Sequence, residues 1–296
     1  MNSAAFLYAF LSAILMGTIG VFSKHTGLSA EIITFFRLIL GSAFMLLFLV
    51  AVGKIRLARV WPSWPVIVNG GFLAGFIIFY VQAMNYTSMA NAIMLIYLAP
   101  LAASITAHFF LGERLNKAAL GLICIALFGF AMMMEFRIDI TQGSDELIGI
   151  GLGVLALTCY AGFILINRII DPGIHVYTRT FWQLFVGGCV MIPLVIFSLD
   201  EVNIGQSGWL LAIGFFPGFL AILFAIIALS RLPVAVFGTI AYSEPVAVVI
   251  FGWTMFHETL SPMQMAGCMF IIASGIAKTV LENRVTHQNQ NASITT

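Results

Sequence analysis

The sequence contains one pattern twice, with the second copy 145 residues after the first. The tetrapeptide Tyr97–Pro100 corresponds to Tyr242–Pro245, and a glutamate follows each proline thirteen residues later, Glu113 in the first copy and Glu258 in the second. Apolar stretches flank both copies. Because an internal repeat dictates architecture before local detail does, the sequence predicts two similar halves.

Composition places these halves in a lipid bilayer. Hydrophobic residues make up 61% of the 296-residue chain and charged residues only 8%, whereas a soluble domain carries about 25% charged residues. The net charge of +1 provides no basic field, so we expect no nucleic-acid partner. Four cysteines lie inside apolar runs: Cys124, Cys159, Cys189 and Cys268. They are interpreted as small hydrophobic residues, with no disulfide framework and no metal site.

Ten apolar segments are long enough to cross a hydrocarbon core about 30 Å thick, which needs roughly 20 helical residues. They cover residues 5–22, 32–52, 66–84, 90–110, 118–134, 147–166, 180–198, 209–229, 234–256 and 263–280. The first segment lacks a basic region and a cleavage site, so it is interpreted as a retained span and not as a signal peptide. The predicted fold class is therefore an all-α integral membrane protein with ten transmembrane helices.

Lysine and arginine positions predict the orientation, because cytoplasmic loops are enriched in both. With the amino terminus inside, ten of these residues fall on the cytoplasmic side and only Lys24 and Arg137 on the outer side. Both termini are therefore expected in the cytoplasm, with the chain in an inner membrane. Five spans per half is an odd number, so the second half must enter the bilayer from the opposite face as an inverted repeat. The expected units are residues 1–143, residues 144–281 and a disordered tail, residues 282–296.

Glycine pairs recur at comparable places in the two halves. Gly71 and Gly75 lie in span 3, and Gly214 and Gly218 lie in span 8. Small residues four apart let helix backbones approach closely in lipid. Both pairs therefore predict tight helix contacts.

The repeated motifs resemble those of the EamA-like group in the drug/metabolite transporter superfamily. The matching elements are Pro100 with Leu111–Leu115 and Glu244-Pro245 with Phe256–Leu260, and the resemblance covers about residues 5–280. It implies a doubled five-helix unit with a proline in the fourth helix of each unit, and export of amino acids, other metabolites or drugs. His257 departs from the group because a glycine is usual there, and Met16 stands where relatives often have tryptophan.

Glu244 is the first candidate for function. It lies about ten residues into span 9, roughly 15 Å deep by helical rise, beyond the reach of a snorkelling side chain. Burial disfavours the charged form of a carboxylate, so a proton gradient could load and unload this residue. The functional hypothesis is that Glu244 couples transport to protons or contacts a cationic group of the substrate. The alternative is a protonated side chain that bonds a carbonyl freed by Pro245.

Arg37 has two interpretations. It lies about five residues into span 2, roughly 8 Å from the outer end, so its side chain could snorkel to the headgroups. Alternatively, it faces a central cavity, where it binds a substrate carboxylate or pairs with Glu244.

Further polar and aromatic residues could line a cavity between the halves. Tyr97 and Tyr242 precede the two prolines by one helical turn and could meet an aromatic substrate, or they could simply pack between helices. Four polar residues could complete the lining or satisfy backbone groups near helix ends: Gln82, Asn91, Gln183 and Ser243. Pro100 and Pro245 are interpreted as hinges for alternating access, with static kinks as the alternative.

These features favour a secondary transporter, an exporter of small metabolites or xenobiotics that works by alternating access. No nucleotide-binding loop or zinc-helix motif is present, so an enzyme is disfavoured, no cofactor is expected and a gradient must supply the energy. The alternative is a gradient-independent pore or a membrane scaffold. The expected partners are a small-molecule substrate, the lipid bilayer and protons, with the chain acting as a monomer or a homodimer.

Overall fold

The computed structural model describes residues 3–113, 115, 117–136, 144–257 and 259–294, and these residues form helices with no β-strand. The helices are α1 Ser3–Thr26, α2 Ala30–Ala51, α3 Arg56–Arg59, α4 Trp64–Ala83, α5 Met89–Tyr97, α6 Ala99–Phe110, α7 Lys117–Met133, α8 Ser144–Ile169, α9 Val176–Val195, α10 Ser207–Ile213, α11 Ala221–Leu229, α12 Val234–Ala241, α13 Ser243–Phe256 and α14 Pro262–Ile294. A π-helical segment, Gly214–Leu220, joins α10 to α11. Helices suit a bilayer because they satisfy all of their backbone groups internally.

The predicted class, an all-α integral membrane protein, is confirmed. Among the described residues, eight helical stretches are long and apolar enough to cross a membrane, and Lys117–Met133 is a shorter apolar helix. The count of ten spans stays a prediction. α14 is helical through Ile294, and the division into residues 1–143, residues 144–281 and a tail, residues 282–296, stays a prediction. The polar residues beyond the span include glutamate, arginine and glutamine, which are good helix formers. Once a helix has formed, adding such residues to its end costs little free energy.

The helices pack with the symmetry of the repeat. α2 packs against α9 and α7 against α14, so each of these helices contacts its own counterpart, and α6 of span 4 packs against α12 of span 9. α4 packs against α8, and α1 packs against α11, which is the same contact with the two halves exchanged. A two-fold axis between the halves produces this pattern, which is the arrangement of inverted repeats.

Spans 4 and 9 are broken at matching places. α5 ends at Tyr97 and α6 starts two residues later, while α12 ends at Ala241 and α13 starts at Ser243. Pro100 and Pro245 cause the breaks, because a proline nitrogen has no hydrogen to donate to the carbonyl four residues back. Each break therefore leaves backbone carbonyls without their usual helical partners.

Glycines set the closest helix contacts. A Cβ atom on Gly218 would collide with the backbone carbonyl of Arg37, and one on Gly214 would collide with the Leu40 side chain. A Cβ atom on Gly75 would lie 3.3 Å from the Cys159 sulfur, whereas Gly71 has no such neighbour within 4 Å. The predicted tight contacts are confirmed at Gly75, Gly214 and Gly218 and wrong at Gly71.

α6 and α13 end in the left-handed conformation at positions that are equivalent in the repeat. Gly112 has φ +66°, and His257, where the family resemblance led us to expect glycine, has φ +55°. The left-handed conformation strains any residue with a Cβ atom. Glu258, the repeat counterpart of Glu113, lies outside the described residues.

Replacing His257 with glycine is expected to stabilise the protein by about 1 kcal/mol, because glycine adopts this conformation without the steric penalty. Thermal unfolding of the purified protein in detergent measures the change. The reverse substitution at the equivalent position, Gly112→His, is the matched control and is expected to lower stability. A His257→Gly variant that unfolds at or below the wild-type temperature would contradict the strain argument.

Candidate functional site

Arg37 and Glu244 approach each other in the middle of the helical bundle. Arg37 lies on α2 and is 6% exposed, and Glu244 lies in the first turn of α13 and is half-buried. The two charges interact electrostatically without a direct ion pair. Gly17 on α1 packs against the first turn of α13. A Cβ atom on Gly17 would lie 3.3 Å from the Glu244 backbone carbonyl oxygen, so a glycine at this position lets the two helices pack closely.

The guanidinium of Arg37 has unused hydrogen-bonding capacity. Its Nε and Nη2 atoms are buried and have no hydrogen-bond partner among the residues that the structure describes. These two atoms form one edge of the guanidinium plane, the edge that binds a carboxylate through two parallel bonds. The snorkelling interpretation is wrong, since a side chain this deeply buried does not extend to the headgroups. An unpartnered buried charge is costly, and these two donors are available to an acceptor.

Three tyrosines surround the two charges. Tyr97 at the end of α5, Tyr80 on α4 and Tyr160 on α8 all interact electrostatically with Glu244, and Tyr160 also interacts with Arg37. Sequence reasoning missed Tyr80 and Tyr160. Their position inside apolar spans could have identified them. Lipid cannot hydrogen-bond a phenolic hydroxyl, so a tyrosine at that depth is expected to face the interior of the protein.

Tyr242 has a different place from its repeat counterpart. It is fully buried, and its hydroxyl donates to the Tyr97 carbonyl over 2.6 Å. That carbonyl lies at the break in span 4, and Tyr242 itself lies at the break in span 9. A single hydrogen bond therefore joins the two broken helices, and it satisfies one carbonyl that the break leaves free.

The structure separates Gln183 from the group around Glu244. Gln183 on α9 is fully buried and exchanges hydrogen bonds with Asn167 on α8, at 2.9 and 3.4 Å. Asn167 also donates to the Phe163 carbonyl, and Asn69 on α4 donates to the same oxygen. This cluster ties three helices together.

Gln82 and Asn91 lie at adjacent ends of α4 and α5. Asn91 donates to Thr87 over 3.1 Å and to the buried carboxylate of Glu146 over 3.0 Å. Gln82 accepts a hydrogen bond from Asn85 over 3.4 Å. Both side chains therefore bond to other side chains near helix ends.

Ser243 and the prolines complete the predicted set. Ser243 lines an apolar groove of about 540 Å³ between α1, α13 and α14. Pro100 and Pro245 are buried, and a Cβ atom on Gly238 of α12 would lie 3.0 Å from Pro100. The structure thus brings Arg37, Tyr97 and Glu244 together and bonds Tyr242 to Tyr97, whereas Gln82, Asn91 and Gln183 bond to other partners.

Glu113 joins the two halves at the opposite end of α12 from Glu244. Its carboxylate accepts a 2.6 Å ion-pair hydrogen bond from Arg168 at the end of α8 and a 2.7 Å bond from the Val234 backbone nitrogen. The second bond caps the amino terminus of α12, where helix dipoles favour an anion. Sequence reasoning identified Glu113 as part of the repeat but not these contacts between the halves.

Comparisons with known proteins agree with this architecture. The pseudopaline exporter CntI of Pseudomonas aeruginosa is 25% identical over 251 residues, which cover 84% of this chain and 86% of that protein. The aromatic amino acid exporter YddG of Ancylobacter novellus is 24% identical over 292 residues, which cover 96% of this chain and 99% of that protein. A crystal structure shares the fold with a TM-score of 0.84 at 21% identity, over 95% of this chain and 99% of the other.

The sequence model of the EamA-like transporter family matches residues 3–135 and residues 147–277. Each match covers one of the two repeated halves, and together they cover most of the chain. The chain therefore belongs to the EamA-like transporter family, and it is a multi-pass membrane protein.

Proposed function

We propose that the protein is a secondary transporter that exports small zwitterionic metabolites, amino acids or related compounds, by alternating access. The observation that carries the proposal is the free edge of the buried Arg37 guanidinium opposite Glu244. Arg37 binds the substrate carboxylate, and Glu244 binds its ammonium group. A xenobiotic with the same two charges fits the same site.

The surroundings of the charges support this substrate class. Tyr80, Tyr97 and Tyr160 offer rings and hydroxyl groups around the zwitterion, and a cation interacts favourably with an aromatic face. The two relatives described above are named as exporters of pseudopaline and of aromatic amino acids. The second name is consistent with a substrate that resembles an amino acid.

The broken helices supply a mechanism for alternating access. In inverted-repeat transporters, the two bundles rock around a site near the membrane midplane. Here the breaks at Leu98 and Tyr242 flank that site, and the Tyr242–Tyr97 hydrogen bond joins them. Pro100 and Pro245 act as hinges, and the Glu113–Arg168 ion pair holds one face of the bundle closed.

The orientation and the coupling ion complete the proposal. Both termini lie in the cytoplasm of an inner membrane, in units of residues 1–143 and 144–281. Glu244 carries a proton in exchange for the substrate, because its carboxylate lies where burial penalises charge. The substrate ammonium and the proton thus compete for one group.

Counterflow in proteoliposomes tests the proposed function. Vesicles that contain the purified protein are preloaded with one unlabelled amino acid at a time and are then given a trace of the labelled compound outside. A carrier accumulates label transiently and saturates with concentration, so we expect this for at least one zwitterionic amino acid. Flux that rises linearly with concentration, without transient accumulation, would instead establish a pore.

Replacing Glu244 with glutamine is expected to abolish uptake driven by a pH gradient in everted vesicles. Glutamine keeps the size and hydrogen-bonding groups of the side chain but cannot take up a proton at physiological pH. Gln183→Glu, which adds a carboxylate on a neighbouring buried helix, controls for acidity elsewhere in the bundle and is expected not to restore coupling in the Glu244→Gln background. Wild-type pH-driven uptake by Glu244→Gln would rule out proton coupling through this residue.

A further inference from the structure

A second groove opens on the membrane-facing surface, away from the Arg37–Glu244 site. It has a volume of about 550 Å³ and lies between α2, α9 and the π-helical segment with α11. Its lining is apolar and largely aromatic, and it includes Phe44, Phe48, Tyr177, Phe219 and Leu223. Such a slot has the shape and polarity of an acyl-chain site.

Cations lie at one end of this groove. Lys54 follows α2, and its ammonium nitrogen lies 5.8 Å from the centre of the Tyr177 ring, which lines the groove. Arg56 and Arg59 on α3 are exposed beside it. Among the described residues, none forms an ion pair with these three cations.

The short helix α3 holds these cations at the depth of the lipid headgroups. Trp61 and Trp64 follow it and are 77% and 74% exposed, and exposed indole rings in a membrane protein occupy the interface between headgroups and acyl chains. The segment is fixed to α9, because Thr178 donates to the Leu57 carbonyl over 2.9 Å and Trp182 donates to the Val60 carbonyl over 3.0 Å.

The electrostatic field at this end of the groove is positive. Burial, followed by the charges of Lys54 and Arg179, lowers the pKa of His175, which caps α9. Arg179 already donates to two backbone carbonyls, those of Ile174 and Asp171. The Asp171 carboxylate interacts with Arg179 and also accepts from the Gly173 backbone nitrogen within its own loop. Lys54, Arg56 and Arg59 therefore remain to bind an anion.

We propose that this groove binds one anionic phospholipid from the leaflet that α3 faces, with an acyl chain along the aromatic slot and the phosphate at Lys54. A soluble anion would leave the apolar slot unused, and a neutral lipid would leave the cations unused. Basic residues next to a membrane attract anionic headgroups. The bound lipid bridges α2, which carries Arg37, to α9 and α11.

Native mass spectrometry of the full-length protein tests the site. Protein stripped of lipid in detergent is titrated with phosphatidylglycerol and, separately, with phosphatidylcholine. We expect one phosphatidylglycerol to bind at least about fivefold more tightly than phosphatidylcholine. Lys54→Ala is expected to weaken phosphatidylglycerol binding by about fivefold, because one basic residue near an anionic membrane surface contributes about that factor to the affinity. Lys117→Ala, which removes a cation at the start of α7, is the matched control and is expected to change nothing.

A second pair of variants tests the slot itself. Ala51 lines the groove, so Ala51→Trp fills it and is expected to weaken phosphatidylglycerol binding by at least about fivefold. Its neighbour Val50 is 58% exposed and does not line the groove, so Val50→Trp is expected to bind like wild type. Equal binding of the two lipids, wild-type binding by Ala51→Trp, or an equal loss in Lys117→Ala would each overturn the proposal.

Discussion

Replacing Arg37 with lysine or methionine is expected to abolish export while leaving the protein folded. Lysine retains the charge but not the planar edge of Nε and Nη2, the two donors that have no partner in the structure. Losing one partner of a buried charged contact costs about 2–5 kcal/mol, which corresponds to at least roughly a 30-fold loss of transport efficiency. Initial rates of counterflow in proteoliposomes measure this loss.

Thermal stability separates a binding role of Arg37 from a structural one. Since no described group bonds to Nε or Nη2, Arg37→Met removes a buried charge without breaking a hydrogen bond at those atoms and is expected to unfold at or above the wild-type temperature. Arg179 is the matched control, because it is equally buried but donates to two backbone carbonyls. Arg179→Met is expected to destabilise the protein. If Arg37→Met unfolds as easily as Arg179→Met, then Arg37 is a structural residue.

Replacing Gly218 with leucine is expected to prevent folding. A Cβ atom at Gly218 would collide with the Arg37 carbonyl, and a Cβ atom at Gly41 would lie 3.1 Å from the Gly218 carbonyl carbon, so α2 and the π-helical segment touch backbone to backbone. A leucine would force these elements apart. Overpacking a core costs about 1–3 kcal/mol for extra methylenes, and more where the backbone must move. The yield of monodisperse protein and its thermal unfolding measure the effect.

Gly71 provides the control for this substitution. It lies in the corresponding span of the first half, but in the described part of the chain no side chain or neighbouring helix lies within 4 Å of where its Cβ atom would be. Gly71→Leu is therefore expected to express and unfold like wild type. Similar yields for the Gly218→Leu and Gly71→Leu variants would contradict the close crossing of α2 over the π-helical segment.

The fold could be predicted largely from the sequence because its causes are local or repeated. Span lengths follow from bilayer thickness, and the breaks at Leu98 and Tyr242 follow from prolines that recur 145 residues apart. The glycine contacts were only partly predictable. Glycines four residues apart indicate a helix face made of small residues. Whether that face meets another helix depends on how the helices pack, since Gly75 contacts Cys159 and Gly71 has no such contact.

The candidate site was harder to predict, because depth along a helix says nothing about which way a side chain faces. Helical rise alone placed Arg37 near the outer headgroups, while the packing of α2 against the π-helical segment buries it. The repeat made Tyr97 and Tyr242 equivalent, yet one lies beside Glu244 and the other donates a hydrogen bond between the broken helices. Tyr80 and Tyr160 have no motif and join the site only through tertiary contacts.

The most direct measurement compares the binding of an amino acid with that of its carboxamide, which keeps the ammonium group and the side chain but lacks the carboxylate. The amino acid is the one that gives the strongest counterflow, and binding is measured on purified wild-type protein and on Arg37→Met. Wild type is expected to prefer the acid by at least about 30-fold, the factor for one buried charged contact, and Arg37→Met is expected to show no preference. A variant that still prefers the acid, or a wild type that binds both equally, would contradict a carboxylate site at Arg37.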